Sequence, residues 1–233
     1  MKAAIITGAS VGIGSATAKA FLDAGFAVFN LARRECPVEG VTSLRCDLTD
    51  DSSITAACNT LENAIADCVE VALVHNAAQM QKDSVSDCYS ASLRAVMETN
   101  VIAINSLNQY LLPQMPGTSS LLYIGSTLSE KAVPGSFSYV ISKHAQLGMM
   151  RASCQDLMGS GIHTAMICPG FTDTEMLRTH LGQDPAAEAA IARMNSFNRL
   201  IEPEEIAEFV LWAHHNPVIN GAVLHANLGQ KES

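Results

Sequence analysis

Short apolar runs alternate with longer amphipathic segments along the whole chain. Apolar runs that are bounded by glycine, proline or polar residues are typical of strands buried in a parallel sheet. They predict strands at residues 3–7, 26–32, 41–46, 69–75, 120–124, 162–168 and 222–226.

The segments between these runs show helical periodicity. Helices are predicted from the first glycine motif to Gly25, at residues 51–66, 89–111, 139–158 and 185–194, and from Pro203 onward. This alternation predicts an α/β fold, a single-domain Rossmann-like doubly wound parallel sheet over residues 1–233 with helices on both faces. In such sheets, ligands bind just past the carboxyl ends of the strands.

A glycine motif lies between the first strand and the first helix. It contains Gly8, Gly12 and Gly14. Glycines let backbone amides approach a pyrophosphate, and a helix N-terminus favours that anion. The motif predicts a dinucleotide site, although a tight turn without a ligand has the same pattern.

Two arginines follow the second strand, at the position that distinguishes NAD from NADP in dinucleotide folds. An acidic residue there binds the ribose hydroxyls of NAD. This chain has Arg33 and Arg34 instead, and Glu35 comes later. A guanidinium grips a 2′-phosphate through paired hydrogen bonds, so the arginines favour NADP over NAD. Two solvated surface arginines are the alternative.

Tyr139 and Lys143 are four residues apart at the head of a predicted helix. Residues at this spacing share one helix face. A nearby positive charge lowers the pKa of a phenol from about 10, which suits proton exchange with a substrate oxygen. The same pair also occurs by chance on solvated helices.

Three polar residues remain ambiguous on spacing alone. Asp47 could bind an adenine amino group or cap the following helix. Asn100 shares its helix with other asparagines and does not stand out. His75 is a lone histidine at a strand end, so no metal site is predicted.

Composition narrows the classes of partner. The chain has 14 Lys and Arg against 23 Asp and Glu, a net charge of −9, which argues against nucleic acid and against an anionic membrane. Its apolar runs are shorter than the ~20 residues of a membrane span. The seven cysteines form no CxxC pair, so free thiols and a cytoplasmic location are expected, with Cys46 and Cys168 in the core.

Taken together in order, these residues resemble the short-chain dehydrogenase/reductase family over essentially the whole length. The matching motifs are Thr7-Gly8-x-x-x-Gly12-Ile13-Gly14, Asp47-Leu48, Asn76-Ala77, Asn100, Ser126, Tyr139-x-x-x-Lys143 and Pro169-Gly170. Ala78 replaces the usual glycine, and the stretch from His225 to Gly229 departs from the usual Val-Asp-Gly-Gly.

The resemblance implies a role for each matching residue. Tyr139 would be the general acid or base, Lys143 would lower its pKa and hold the nicotinamide ribose, and Ser126 would hydrogen-bond the substrate oxygen. Asn100 would support a water-linked proton relay to Lys143. The implied cofactor contacts are Gly8, Ser10, Gly12, Ile13, Gly14, Arg33, Arg34, Asp47, Leu48, Asn76, Ala77, Ala78, Tyr139, Lys143, Pro169, Gly170, Thr172 and Thr174.

The implied function is an NADP(H)-dependent oxidoreductase, such as a carbonyl reductase, that transfers hydride between nicotinamide and a carbonyl or secondary alcohol. An NAD-linked alcohol dehydrogenase and a non-catalytic dinucleotide-binding sensor or scaffold are the alternatives. Residues 175–199 are expected to form a substrate lid. Assembly as a homodimer or homotetramer is implied, through the helices at 89–111 and 139–158 with an exposed Met149 or Met150. The substrate itself is not predicted.

Overall fold

The computed structural model describes residues 1–231, and within them seven strands form one sheet. The strands are β1 Lys2–Thr7, β2 Ala27–Ala32, β3 Thr42–Arg45, β4 Glu70–His75, β5 Ser120–Ile124, β6 His163–Pro169 and β7 Ala222–Ala226. Their order is β3-β2-β1-β4-β5-β6-β7, and every neighbouring pair is parallel. All seven predicted strands therefore exist, and the fold class is confirmed.

Helices cover both faces of the sheet. They are α1 Gly12–Asp23, α2 Asp51–Ile65, α3 Ser90–Met97, α4 Ala103–Leu111, α5 Phe137–Asp156, α6 Glu175–His180, α7 Pro185–Ala192 and α8 Pro203–His215. Short 3₁₀ turns lie at Leu112–Gln114, Thr127–Ser129 and Pro217–Ile219.

Two hydrophobic cores flank the sheet. Leu61 of α2, Leu107 of α4 and Leu147 of α5 pack in the first core. Phe21 of α1 and Val210 of α8 pack in the second. Burial on both faces explains why the strands are apolar at almost every position rather than at alternate ones.

The long helix predicted at residues 89–111 is present as helical backbone from Ser90 to Leu111, but its hydrogen-bond pattern is not uniform. A π-helical turn, Glu98–Ile102, separates α3 from α4. Single π turns inside helices often lie at functional sites, because they free a backbone carbonyl from the regular ladder. The sequence period did not reveal this turn, and Asn100 lies in its middle.

Side-chain burial corrects one expectation and confirms another. Met150 is fully buried, so it cannot be the exposed contact expected for assembly, and Met149 also packs against the core. Cys46 and Cys168 are buried as predicted, and all seven cysteines are free thiols. Within residues 1–231, no helix is both long and apolar enough to cross a membrane.

Candidate active site

The glycine loop after β1 packs tightly against the end of β4. A Cβ atom added to Gly8 would lie 3.0 Å from the Cα atom of Ala77, and Gly8 has a φ of +70°. The amide of Asn76 donates to the carbonyl oxygens of Thr7 at 3.0 Å and Gly8 at 3.2 Å. Asn76 and Ala77 therefore pack against the glycine loop and fix its conformation.

The same loop presents the N-terminus of α1. The N-cap residue is Val11, whose apolar side chain makes no capping hydrogen bond, and the first turn begins Gly12-Ile13-Gly14. Gly12 has a φ of +54° and faces the Thr174 side chain, to which an added Cβ would approach within 3.1 Å. Uncapped amides at a helix start, next to glycines that carry no side chains of their own, fit a pyrophosphate. Ser10 lies half-buried in this loop.

A buried asparagine connects the glycine loop to the two arginines. Asn30 accepts a hydrogen bond from the Ala9 amide at 2.9 Å and donates to the Arg34 carbonyl at 3.1 Å. Arg33 and Arg34 are exposed beside the loop. The guanidinium of Arg34 lies 3.6 Å from the Glu175 carboxylate at the start of α6.

Asp47 does not cap the following helix. Asp50 is the N-cap of α2, and its side chain accepts from the Ser52 amide at 2.9 Å. Asp47 accepts instead from the backbone and hydroxyl of Thr49, and these hydrogen bonds lower the pKa of its carboxyl. The capping alternative is therefore wrong. The adjoining Leu48 packs against the core.

The Asn100 side chain ties three parts of the site together. Its oxygen accepts from the Gln79 amide at 2.7 Å, and its nitrogen donates to the Gln79 carbonyl at 2.9 Å. The same nitrogen donates to the Ser142 hydroxyl at 2.9 Å. The π turn therefore holds both the loop that follows Ala78 and the middle of α5.

Ser126 and Tyr139 meet at the end of β5. Ser126 is the N-cap of the 3₁₀ turn and accepts from the Leu128 amide at 3.1 Å. Its hydroxyl also lies near the phenol of Tyr139, whose side chain is 8% exposed, and this proximity acts to lower the pKa of the phenol. The phenol and the hydroxyl thus lie close together just past the carboxyl end of β5.

Lys143 is buried beneath this pair. Its ammonium donates to the Ile124 carbonyl at 2.8 Å and to the Gln146 side-chain oxygen at 3.0 Å. It lies 5.5 Å from the centroid of the Tyr139 ring. The predicted neighbours on one helix face are therefore neighbours in the structure.

Burial opposes the pKa change that was expected from this spacing. It raises the pKa of Tyr139 to about 12, although the proximity of the Ser126 hydroxyl acts in the opposite direction. Burial also lowers the pKa of Lys143 to about 8. The Tyr139 pKa is therefore not lowered in this arrangement. Burial disfavours the charged forms of Tyr139 and Lys143 more strongly than their contacts favour them.

The start of α5 is held by a residue that the sequence did not single out. Asp83 accepts a hydrogen bond from the Ser138 amide at 3.0 Å, one position before Tyr139. A carboxylate at a helix N-terminus caps an unpaired amide and is favoured by the helix dipole. A cap that comes from another segment leaves no local spacing, so only the fold could reveal it.

The segment after β6 closes the site from the other side. The amide of Gly170 donates to the Ala226 carbonyl at 2.9 Å, and Thr172 donates to the Gly170 carbonyl at 3.1 Å. Thr174 caps α6 by accepting from the Leu177 amide at 3.3 Å. Pro169 ends β6, so all these residues follow directly from a strand end.

One further grouping of ligand-type atoms lies at the opposite edge of the sheet. Atoms of Glu70, His214 and His215 lie within 4.8 Å of one another. His214 already bonds Ser120 at 2.7 Å and Glu70 at 2.8 Å, and Lys2 pairs with the other Glu70 oxygen at 2.7 Å. Protein partners therefore engage both nitrogens of His214 and both oxygens of Glu70.

Known proteins share both the sequence pattern and this fold. A family model described as enoyl-(acyl carrier protein) reductase matches residues 8–231. An A-factor type γ-butyrolactone 1′-reductase from Streptomyces virginiae is 31% identical over 230 residues, covering 90% of this chain and 86% of that protein. The 3-oxoacyl-(acyl-carrier-protein) reductase FabG of Salmonella typhimurium is 27% identical over 241 residues, covering 98% and 96%.

Solved structures agree with these relatives. A short-chain dehydrogenase family protein from Francisella tularensis has a TM-score of 0.91 at 25% identity, covering 98% of both chains. A Pseudomonas aeruginosa RhlG/NADP active-site complex has a TM-score of 0.88 at 25% identity, covering 98% of this chain and 95% of that one. The chain therefore belongs to the short-chain dehydrogenase/reductase family of oxidoreductases.

Proposed function

We propose that this oxidoreductase is an NADP(H)-dependent carbonyl reductase with Tyr139 as its general acid. The observation that supports this most is the proximity of the Tyr139 phenol to the Ser126 hydroxyl, with the buried Lys143 ammonium 5.5 Å from the centroid of the Tyr139 ring. A phenol and a hydroxyl that lie close together can both hydrogen-bond a single substrate oxygen.

A bound nicotinamide cofactor would supply the hydride. Tyr139 donates its proton to the substrate oxygen as negative charge develops there, and Ser126 stabilises the same oxygen. Because burial raises the pKa of Tyr139 to about 12, the phenol stays protonated at neutral pH. A protonated phenol suits reduction, whereas alcohol oxidation would first require its ionisation.

The pyrophosphate of the cofactor would bind at the N-terminus of α1. The glycine loop would contact it there, supported by Asn76 and Ala77, which pack against the loop. Arg33 and Arg34 would bind a 2′-phosphate, because they follow directly on the end of β2, where an acidic side chain would instead bind the ribose hydroxyls of NAD. The similarity to the RhlG/NADP complex supports NADP(H) as the cofactor, and the similarity to two reductases supports reduction as the reaction.

The substrate class is inferred from the lid. Met176, Met194 and Phe197 expose their apolar side chains there, at 40%, 37% and 65%. Arg178 pairs with Asp173 and Glu188, and Arg199 pairs with Glu205, so these lid charges are largely compensated. We infer a medium-sized carbonyl compound with an apolar portion, in line with the reductase relatives.

The test is a titration with NADPH and NADH, followed by nicotinamide fluorescence, on the wild type and Arg33→Ala. NADPH should bind at least about ten times tighter, a difference of ~1.4 kcal/mol, and Arg33→Ala should remove that difference. Arg151→Ala, at an exposed arginine of α5, is the matched control and should keep it.

The other outcomes point to the alternatives. Equal or tighter NADH binding would favour an NAD-linked alcohol dehydrogenase, and oxidation of alcohols would be assayed next. Binding of NADPH without oxidation in the presence of a panel of aldehydes and diketones would favour a sensor or scaffold. Assembly as a homodimer or homotetramer and a cytoplasmic location stay predictions, and analytical ultracentrifugation tests the first.

A further inference from the structure

Gln146 lies one helical turn after Lys143, and its side chain links two parts of the site. Its nitrogen donates to the backbone carbonyl of Asn100 at 2.6 Å. Its oxygen accepts from the Lys143 ammonium at 3.0 Å. The residue is 1% exposed, so both contacts are shielded from water.

The π turn makes the first of these contacts possible. Asn100 lies within Glu98–Ile102, where the regular helical hydrogen-bond ladder is interrupted. Its side chain is already engaged with Gln79 and Ser142. The carbonyl of Asn100 is the group that meets Gln146, and through it the π turn is connected to Lys143.

A carboxamide suits this position because it donates and accepts at the same time. It differs from a water molecule in one chemical respect. A water oxygen can accept one proton and release another, whereas a carboxamide would have to pass through its imidic acid form. The link through Gln146 therefore holds the ammonium without giving it a simple route for proton transfer.

We propose that Gln146 is a positioning residue for Lys143, standing where the family resemblance places a relay water between Asn100 and Lys143. This inference rests on the proposed function only for its catalytic consequence. The positioning itself is a property of the protein alone. If Gln146 occupies this position, Lys143 would not regain a proton through Asn100.

The pKa of Lys143 makes its contact with Gln146 measurable. Burial lowers the pKa of Lys143 to about 8, so the ammonium is close to losing its proton in the neutral to alkaline range. An acceptor on the ammonium favours the charged form and acts against burial. Removal of the Gln146 acceptor should lower the pKa of Lys143 further.

The first experiment reads this pKa directly, without turnover. The protein is labelled with ¹³C at lysine Cε, and the Lys143 signal is assigned by its loss in Lys143→Met. Gln146→Leu should lower the Lys143 pKa by about one unit, and Gln146→Glu, which places a carboxylate beside the ammonium, should raise it. Gln155→Leu, at an exposed glutamine of α5, is the matched control and should leave it unchanged.

A third variant tests the replacement of water. Gln146→Ala leaves room for a water molecule between the Lys143 ammonium and the Asn100 carbonyl, which are both polar partners for it. Its Lys143 pKa should stay near the wild-type value. Where Gln146→Leu fails to fold, the Glu variant still tests the contact, because it should raise the Lys143 pKa above the near wild-type value expected of the Ala variant.

The second experiment follows the pH dependence of NADPH-linked turnover. Gln146→Leu should move the alkaline limb of kcat downward in pH by about the shift seen by NMR, and Gln146→Ala should leave it in place. The proposal is wrong if the Leu and Glu variants lose thermal stability but keep the wild-type Lys143 pKa. Absence of turnover in the wild type would instead overturn the proposed function, while the NMR result would still stand.

Discussion

Hydrogen-bonded side chains lie at both ends of the parallel strands, the amino ends and the carboxyl ends, which we call the amino edge and the carboxyl edge of the sheet. At the amino edge, Lys2, Glu70, His214 and Ser120 are linked at 2.7, 2.8 and 2.7 Å. We call these four residues the amino-edge network. At the carboxyl edge, hydrogen bonds run from Asn100 through Gln146 to Lys143, and Tyr139 and Ser126 lie above them.

The amino-edge network has the order of a hydrolytic triad, with a hydroxyl, an imidazole and a carboxylate in succession. Ser120, however, is fully buried, and the rings of Phe21 and Phe26 lie 5.5 and 5.3 Å from the His214 ring. A substrate carbonyl has no approach to that hydroxyl. The network therefore stabilises the fold, and distances between side chains alone do not identify a catalytic site.

The carboxyl edge differs because Ser126 is only partly buried and Tyr139 keeps 8% of its surface exposed at a strand end, whereas Ser120 is fully buried. The Tyr139 phenol and the Ser126 hydroxyl lie close enough together for one substrate oxygen to contact both. Parallel strands place such groups at one edge. We therefore expect changes at this edge to affect activity and changes at the other edge to affect stability.

The largest effect is expected for Tyr139→Phe. Loss of the proton donor should lower kcat by about 10²–10⁴-fold, since general acid catalysis is worth that much, and the melting temperature should change little. The measurement is NADPH oxidation with a responsive carbonyl compound, with Tyr89→Phe, at an exposed tyrosine, as the control. Retained turnover in Tyr139→Phe would contradict its assignment as the acid.

His214→Ala should show the opposite pattern. It leaves the Ser120 hydroxyl without its partner and opens a cavity beside Phe21 and Phe26, which should cost about 2–4 kcal/mol of unfolding free energy. Urea denaturation measures this, and the exposed His215→Ala serves as the control. A loss of kcat without a loss of stability would break the comparison of the two edges.

Acid should destabilise the protein through its buried histidines. Burial lowers the pKa values of His214 and His75 to about 4, so both are neutral in the folded state at pH 5, whereas the unfolded chain protonates them below about 6.5. Their contribution is present above pH 6.5 and is lost as the pH falls from about 6.5 to about 4, at ~1.4 kcal/mol per pH unit for each histidine.

The measurement is urea unfolding at intervals from pH 7.5 to pH 4.5. His214→Gln should flatten the dependence, because one of the two protonating groups is removed. His144→Gln, at an exposed histidine of α5, should keep the wild-type slope. An unchanged slope in His214→Gln would show that His214 is protonated in the folded state.

The smallest effect is expected at the ion pair between the residues that follow β2 and the start of α6. Glu175 lies 3.6 Å from Arg34, and both side chains are exposed, at 61% and 62%. Exposed pairs are worth ~0.2–1 kcal/mol, so Glu175→Gln should tighten NADPH binding by at most about fivefold through release of Arg34. Glu188→Gln, which pairs with Arg178 on the lid, is the control, and weaker NADPH binding in Glu175→Gln would exclude this competition.

Local patterns in the sequence predicted the fold class, and the family resemblance supplied most of the candidate site residues. The apolar runs predicted the seven strands, because strands buried on both faces are apolar at nearly every position. The glycine loop and the Tyr139–Lys143 pair followed from residues that are close along the chain. Contacts of this kind depend on the regular geometry of the backbone, and residue spacing along the sequence therefore predicts them.

Only the tertiary structure decided how these residues are supported. Gln146 meets a carbonyl 46 residues away, Asp83 caps an amide 55 residues away, and Ser120 meets an imidazole 94 residues away. These pairs depend on how helices pack against the sheet. Burial likewise set the pKa values of Tyr139, Lys143 and His214, because the free energy of removing a charge from water is a property of the surroundings and not of residue spacing.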